Sequence, residues 1–119
     1  MANDFKRICT PNVSASSNST IYAVPAGASS AALESIVIGI TMANKTSSGI
    51  TASIFIDNED GSNDVYIVKD ATIPAGSALE VMSGNKLVLQ NDGTNGDNLE
   101  ALCSAASSLD VTVSVLEDV

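Results

Sequence analysis

Apolar and polar residues alternate with a period of two along much of this chain, which is the signature of strands buried on one face. The alternation is strongest at 32–44, where Ile36, Ile38, Ile40 and Met42 fall on one side and Val37, Gly39, Thr41 and Ala43 on the other. At 50–57, Ile50, Ala52, Ile54 and Ile56 alternate with Thr51, Ser53, Phe55 and Asp57. At 109–116, Leu109, Val111, Val113 and Val115 alternate with Asp110, Thr112 and Ser114. Shorter runs lie at 20–24, 64–70, 79–82, 86–90 and 98–104, and in 64–70 Val65 and Ile67 oppose Tyr66 and Val68. Gly, Pro, Asn and Asp clusters punctuate the chain about every ten residues, the spacing of a sandwich or barrel. The pattern predicts an all-β domain: a single β-sandwich of about eight antiparallel strands, jelly-roll or Ig-like Greek key. Ala101 to Leu109 lacks apolar residues at helical spacing and reads as a short turn.

Residues 1–19 are polar, small and aperiodic, and read as an extended N-terminal arm, either disordered or laid over a neighbour. The sandwich is expected to occupy 20–119. Within it one phrase occurs twice: Val24-Pro-Ala-Gly27 before Ala32-Leu-Glu34, and Ile73-Pro-Ala-Gly76 before Ala78-Leu-Glu80. Two readings are open, shared turn chemistry or a two-fold quasi-symmetric arrangement.

The chain has 119 residues, enough for one core. Aromatic residues make up 3% and Trp is absent, so that core must be built from Ile, Val, Leu, Ala and Met. Fourteen acidic residues against five basic ones give a net charge of -9, and the cations Lys6, Arg7, Lys45, Lys69 and Lys86 are scattered. Nucleic-acid binding draws its affinity from clustered Lys and Arg, so neither it nor an anionic membrane surface is expected. The N-terminal residues carry cations without a following apolar stretch of signal-peptide length, and no run approaches a membrane span. Assembly in a cytoplasm is therefore expected. Cys9 and Cys103 are read as free thiols, with a bridge from arm to body as the alternative. The sequons at Asn12, Asn18 and Asn44 read as chance matches in a chain rich in Ser, Thr and Asn.

Chemistry is scarce. There is no His, which removes the commonest general base and the His-dependent nucleophilic triads. Two distant cysteines supply no spaced ligand pair for zinc. Asp57, Glu59, Asp60 and Asp64 gather in one loop and are weak candidates for calcium, but aligning Gly61 with the glycine of the helix-loop-helix calcium pattern places Ile56 at its first ligand position. A solvated hairpin tip is the preferred reading. Asn91 to Asp97, with Asp-Gly and Asn-Gly steps, reads as a second tight turn. Two Phe and two Tyr make a poor sugar platform, and no Gly-rich loop precedes a helix. No catalytic residue and no cofactor are expected.

The succession Thr20-Ile-Tyr-Ala-Val-Pro-Ala-Gly27, Ile36-Val-Ile-Gly-Ile-Thr-Met-Ala-Asn44, Val65 to Gly76, Leu79 to Gln90 and Val111-Thr-Val-Ser-Val-Leu-Glu117 resembles small virion structural proteins of tailed bacteriophages, of the marine and cyanobacterial type. The resemblance covers about residues 20–117. It implies a non-enzymatic particle component, either a capsid decoration (cement) protein or a neck-, tail- or fibre-associated subunit. It also implies the major capsid protein or other virion proteins as partners, and a homo-oligomer, by analogy a trimer. On that reading the arm residues Ala2, Asn3, Asp4, Phe5, Lys6, Arg7 and Ile8 are the partner-binding candidates, and removing the arm should weaken docking more than folding. A calcium-assisted glycan- or receptor-binding module is the alternative from a different class.

Overall fold

The computed structural model describes residues 3–57, 64–82 and 86–118. Among them are nine strands: β1 (Asn3–Thr10), β2 (Ser19–Ala23), β3 (Leu33–Asn44), β4 (Ile50–Asp57), β5 (Asp64–Ile73), β6 (Ala78–Glu80), β7 (Leu87–Asn91), β8 (Asn98–Cys103) and β9 (Leu109–Asp118). They form two antiparallel sheets. In the first the order is β1-β9-β3-β6, with β7 also on β3, and in the second it is β2-β8-β4-β5. This is the expected all-β sandwich.

The core lies between the sheets and is aliphatic, as the composition requires. Val111, Val113 and Val115 of β9 face Ile54 of β4 and Leu99 of β8 across one cluster, joined by Val37, Ile40 and Met42 of β3. Tyr22 is the one aromatic residue of that cluster. It enters because the pairing of β2 with β8 shifts between Thr20 and Tyr22, so that Ile21 and Tyr22 are both buried. A bulge of this kind turns two successive side chains to one face.

A second bulge corrects the expected face of β3. Pairing with β9 shifts between Val37 and Gly39. Before the shift Leu33, Ser35 and Val37 point inward; after it Ile40, Met42 and Asn44 do. Ile36 and Ile38 are thereby displaced to the outer surface, where Ile38 is 42% exposed. Val37, assigned to the outer side by simple alternation, is fully buried.

The N-terminal segment also differs from expectation. Residues 3–10 are extended but not free: β1 pairs with β9 from Asn3↔Asp118 to Thr10↔Val111. Residues 11–18 are stitched down as well, since the Val13 amide donates to the Leu109 carbonyl at 2.9 Å and Val13 is fully buried. The physical reason is the backbone of β9, whose edge would otherwise be left without partners. Truncation through Ser19 would thus remove an edge strand and a core residue, so the segment serves the fold as well as any contact.

The repeated Pro-Ala-Gly phrase has a shared topological task. Each copy carries the chain from the second sheet to the first, from β2 into β3 and from β5 into β6. The local geometry differs: Gly76 is left-handed with φ 68°, whereas Gly27 has φ -72° and ψ 177°.

Candidate protein-binding face

Alternation along β9 puts Glu117 on the inner side, next after Val115, and its side chain is 1% exposed. A carboxylate there needs partners. Tyr22 donates its hydroxyl to Glu117 Oε2, and Lys6 Nζ lies 3.0 Å from Oε1. Tyr22 OH also meets Ser35 Oγ at 2.7 Å. Four strands from both sheets are therefore tied by one polar cluster, with Lys6 on β1 as its only cation among the described residues. Burial, reinforced by the bond to Glu117, holds the Tyr22 hydroxyl well above the ordinary tyrosine range. The Glu117 carboxylate in turn holds the Lys6 ammonium above the ordinary lysine value. A groove of about 470 Å³ opens beside this cluster, walled by Pro25, Ala28, Ala32 and Leu33 with Lys6 at its rim. Both Glu117 oxygens are engaged, so the cluster is organised as a structural clamp.

On the other side of the same strands lies an apolar surface. Phe5 is opposite Leu116, Leu116 is opposite Ile36, and Ile36 is opposite Val88. One lateral row thus crosses β1, β9, β3 and β7 on the outer face of the first sheet. Phe5 is 74% and Val88 55% exposed, and the displaced Ile38 lies beside them. Arg7, two residues beyond Phe5 on β1, is exposed and has no ion-pair partner among the described residues. Lys86, two residues before Val88, is exposed as well.

The arm candidates therefore divide by face. Phe5 and Arg7 point outward, Lys6 and Ile8 point toward the core, and Asp4 lies 3.9 Å from Lys6. Asn3 pairs through its backbone, and Ala2 lies outside the described residues. Of the loop acids, Asp57 and Asp64 end β4 and β5 directly opposite one another and are exposed, while Glu59 and Asp60 lie outside the described residues. No group of three or more metal-ligating side chains occurs among the described residues. Within the 91–97 loop Asp92 Oδ1 accepts from the amides of Thr94 and Asn95, each at 2.8 Å, and those bonds hold the Asp92 carboxyl below its ordinary range.

Cys9 and Cys103 are free, the first exposed and the second buried. Burial pushes the Cys103 thiol up, and the thiol donates to the Ala105 carbonyl at 3.0 Å. Asn44 of the last sequon is buried, and its amide nitrogen donates to the Ser48 and Ile73 carbonyls.

No protein-family model matches the chain, and no curated protein matches it. Solved structures of low sequence identity do align. One, of Bacillus endospore appendages described as a family of disulfide-linked pili, covers 97% of this chain and 86% of its own at 16% identity and a TM-score of 0.45. A second, of infectious bursal disease virus strain Gt, covers 96% of this chain at 11% identity and a TM-score of 0.43, and this chain spans 30% of that viral one. A third, the STIV MCP, covers 93% of this chain and 48% of its own at 12% identity and a TM-score of 0.29.

The buried Glu117 escaped sequence reading although its signal was present. The alternation of Leu109, Val111, Val113 and Val115 continues to an inward position at 117, and an inward Glu demands a cation and a donor. The apolar row escaped because it needs cross-strand register, which a single sequence does not display.

Proposed function

We propose that this chain is a non-enzymatic structural protein of a bacteriophage virion, most specifically a capsid decoration protein, and that the outer face of its first sheet is a contact with other virion protein, further copies of this chain included. The observation that carries the reading is the outward-facing row Phe5, Leu116, Ile36 and Val88, half-buried at its middle and exposed at both ends. Contiguous apolar surface left open on a small domain marks a contact with another protein. The row begins at Phe5 on the N-terminal strand, one of the arm residues that are the partner-binding candidates. The resemblance of residues 20–117 to phage virion proteins supports the location, with assembly in the host cytoplasm and the major capsid protein or another virion protein as partner.

Quantitative mass spectrometry of purified particles tests this reading. A copy number near that of the major capsid protein is expected for decoration. A few copies per particle would favour a neck, tail or fibre position, and absence from intact particles would overturn the proposal.

A further inference from the structure

We propose that the outer face of the first sheet docks on the outer face of the second sheet of another copy of this chain, so that copies stack back to front. The inference rests on reading the Phe5 row as a protein contact, and it names the partner.

The second sheet presents a matching surface. Phe55 of β4 is opposite both Glu100 of β8 and Tyr66 of β5, and the two rings lie 5.1 Å apart. Tyr66 is 46% exposed and Phe55 lies beneath it. Two residues along the same strands come Asp57 and Asp64, opposite one another. Like charges directly across a strand pair repel. Neither has a cation partner among the described residues, and the nearby Lys69 is engaged over the Tyr66 ring at 4.7 Å.

The two faces share one spacing. On the first sheet the cations Arg7 and Lys86 stand two residues from Phe5 and Val88; on the second the carboxylates Asp57 and Asp64 stand two residues from Phe55 and Tyr66. That offset is roughly 7 Å along a strand in both cases. With Phe5 laid against Tyr66, Arg7 comes over the two carboxylates, and its planar fork suits a carboxylate pair better than a lysine would. On a chain of net charge -9, Arg7 and Lys86 put two of the five cations on one side of the first sheet's outer face. A face-on-itself dimer with its axis along the strands would set Arg7 against Lys86 of the other copy, which disfavours that arrangement.

Because the two faces are on opposite sides of the sandwich, repetition gives an open stack and not a closed ring. This differs from the trimer implied by resemblance.

Sedimentation velocity on the purified chain, over a concentration series at low and high salt, reads the contact. The wild type should show an average mass that keeps rising past three copies and falls with added salt. Arg7→Glu should stay monomeric, and so should the double variant Asp57→Lys, Asp64→Lys. An equimolar mixture of the two should regain association, since each supplies what the other lacks. Arg7→Gln, which adds no charge, should weaken association less than Arg7→Glu. Circular dichroism melts of each variant confirm the fold, and Tyr66→Ser replaces any variant that fails to fold. A wild type that stays monomeric, a discrete trimer, or a mixture that stays monomeric would overturn the inference. A chain that fails to stack but is abundant in virions would overturn this inference and leave the proposed function standing; stacking by a chain absent from virions would do the reverse.

Discussion

Lys6 carries more of this molecule than its half-exposed position suggests. It is the cation on the buried Glu117 carboxylate, which Tyr22 holds through its hydroxyl. Losing one partner of a buried ion pair typically costs about 3–5 kcal/mol, and the exposure of Lys6 brings the expected cost of Lys6→Met down to about 1–2 kcal/mol. Urea unfolding should show that loss, and adding Glu117→Gln should recover part of it; an unchanged midpoint in Lys6→Met would contradict the clamp. The pH dependence has a definite sign. Both Lys6 and Tyr22 are raised in the folded chain, so their contribution is complete below the unfolded values near about pH 10 and is lost as pH rises through the folded ones. The melting temperature should therefore fall in alkali, and fall less steeply in Lys6→Met. At the acid end, Lys45 holds Asp110 below its ordinary range from 2.9 Å. That pair contributes above the unfolded Asp value and is lost as pH falls through the folded one, but both side chains are well exposed and the effect is under about 1 kcal/mol.

At the scale of elements, the sandwich was legible where one face is apolar and the other polar. β4 runs as expected, and β9 begins at Leu109 as expected and extends to Asp118. β3 was legible as a strand but not in its facing, because Ile36, Val37, Ile38 and Ile40 are apolar on both sides and alternation cannot choose between them. Gly39 was the available signal, since an isolated Gly inside a strand often marks a bulge. β1 was hidden by an inverted pattern: Lys6 turns inward and Phe5 outward, so the segment looks like a polar arm until its neighbour Glu117 is known. The loops between elements are held by similarly specific fits. Gly93 has φ 100°, and a Cβ there would lie 2.2 Å from the Ser30 carbonyl oxygen. Gly93→Ala should cost about 2–4 kcal/mol through that clash and the left-handed backbone. At Gly39 nothing lies within 4 Å of an added Cβ, and Gly39→Ala should stay within about 1 kcal/mol. Thermal melts of the two variants check the contrast; equal effects would show that the 91–97 loop does not pack on the 28–31 turn.

For the whole molecule, the polar cluster and the apolar row lie on opposite faces of three shared strands, β1, β9 and β3. Glu117 and Lys6 fix β1 to β9 from within, and that pairing is what aligns Phe5 with Leu116, Ile36 and Val88 outside. A contact face built partly from an edge strand needs such an anchor, since the described side chains of β1 are none of them fully buried. The sequence showed the acidic balance and the missing His but not how its few cations are placed. Register alone brings Arg7 and Lys86 to the ends of one apolar band. On the proposed function, this band is where the chain meets other protein in a virion. A particle reconstruction by electron cryo-microscopy reads that contact: the chain should stand on the particle with Phe5, Ile36 and Val88 covered by protein, and that face turned to solvent, with contacts made elsewhere, would overturn the proposal.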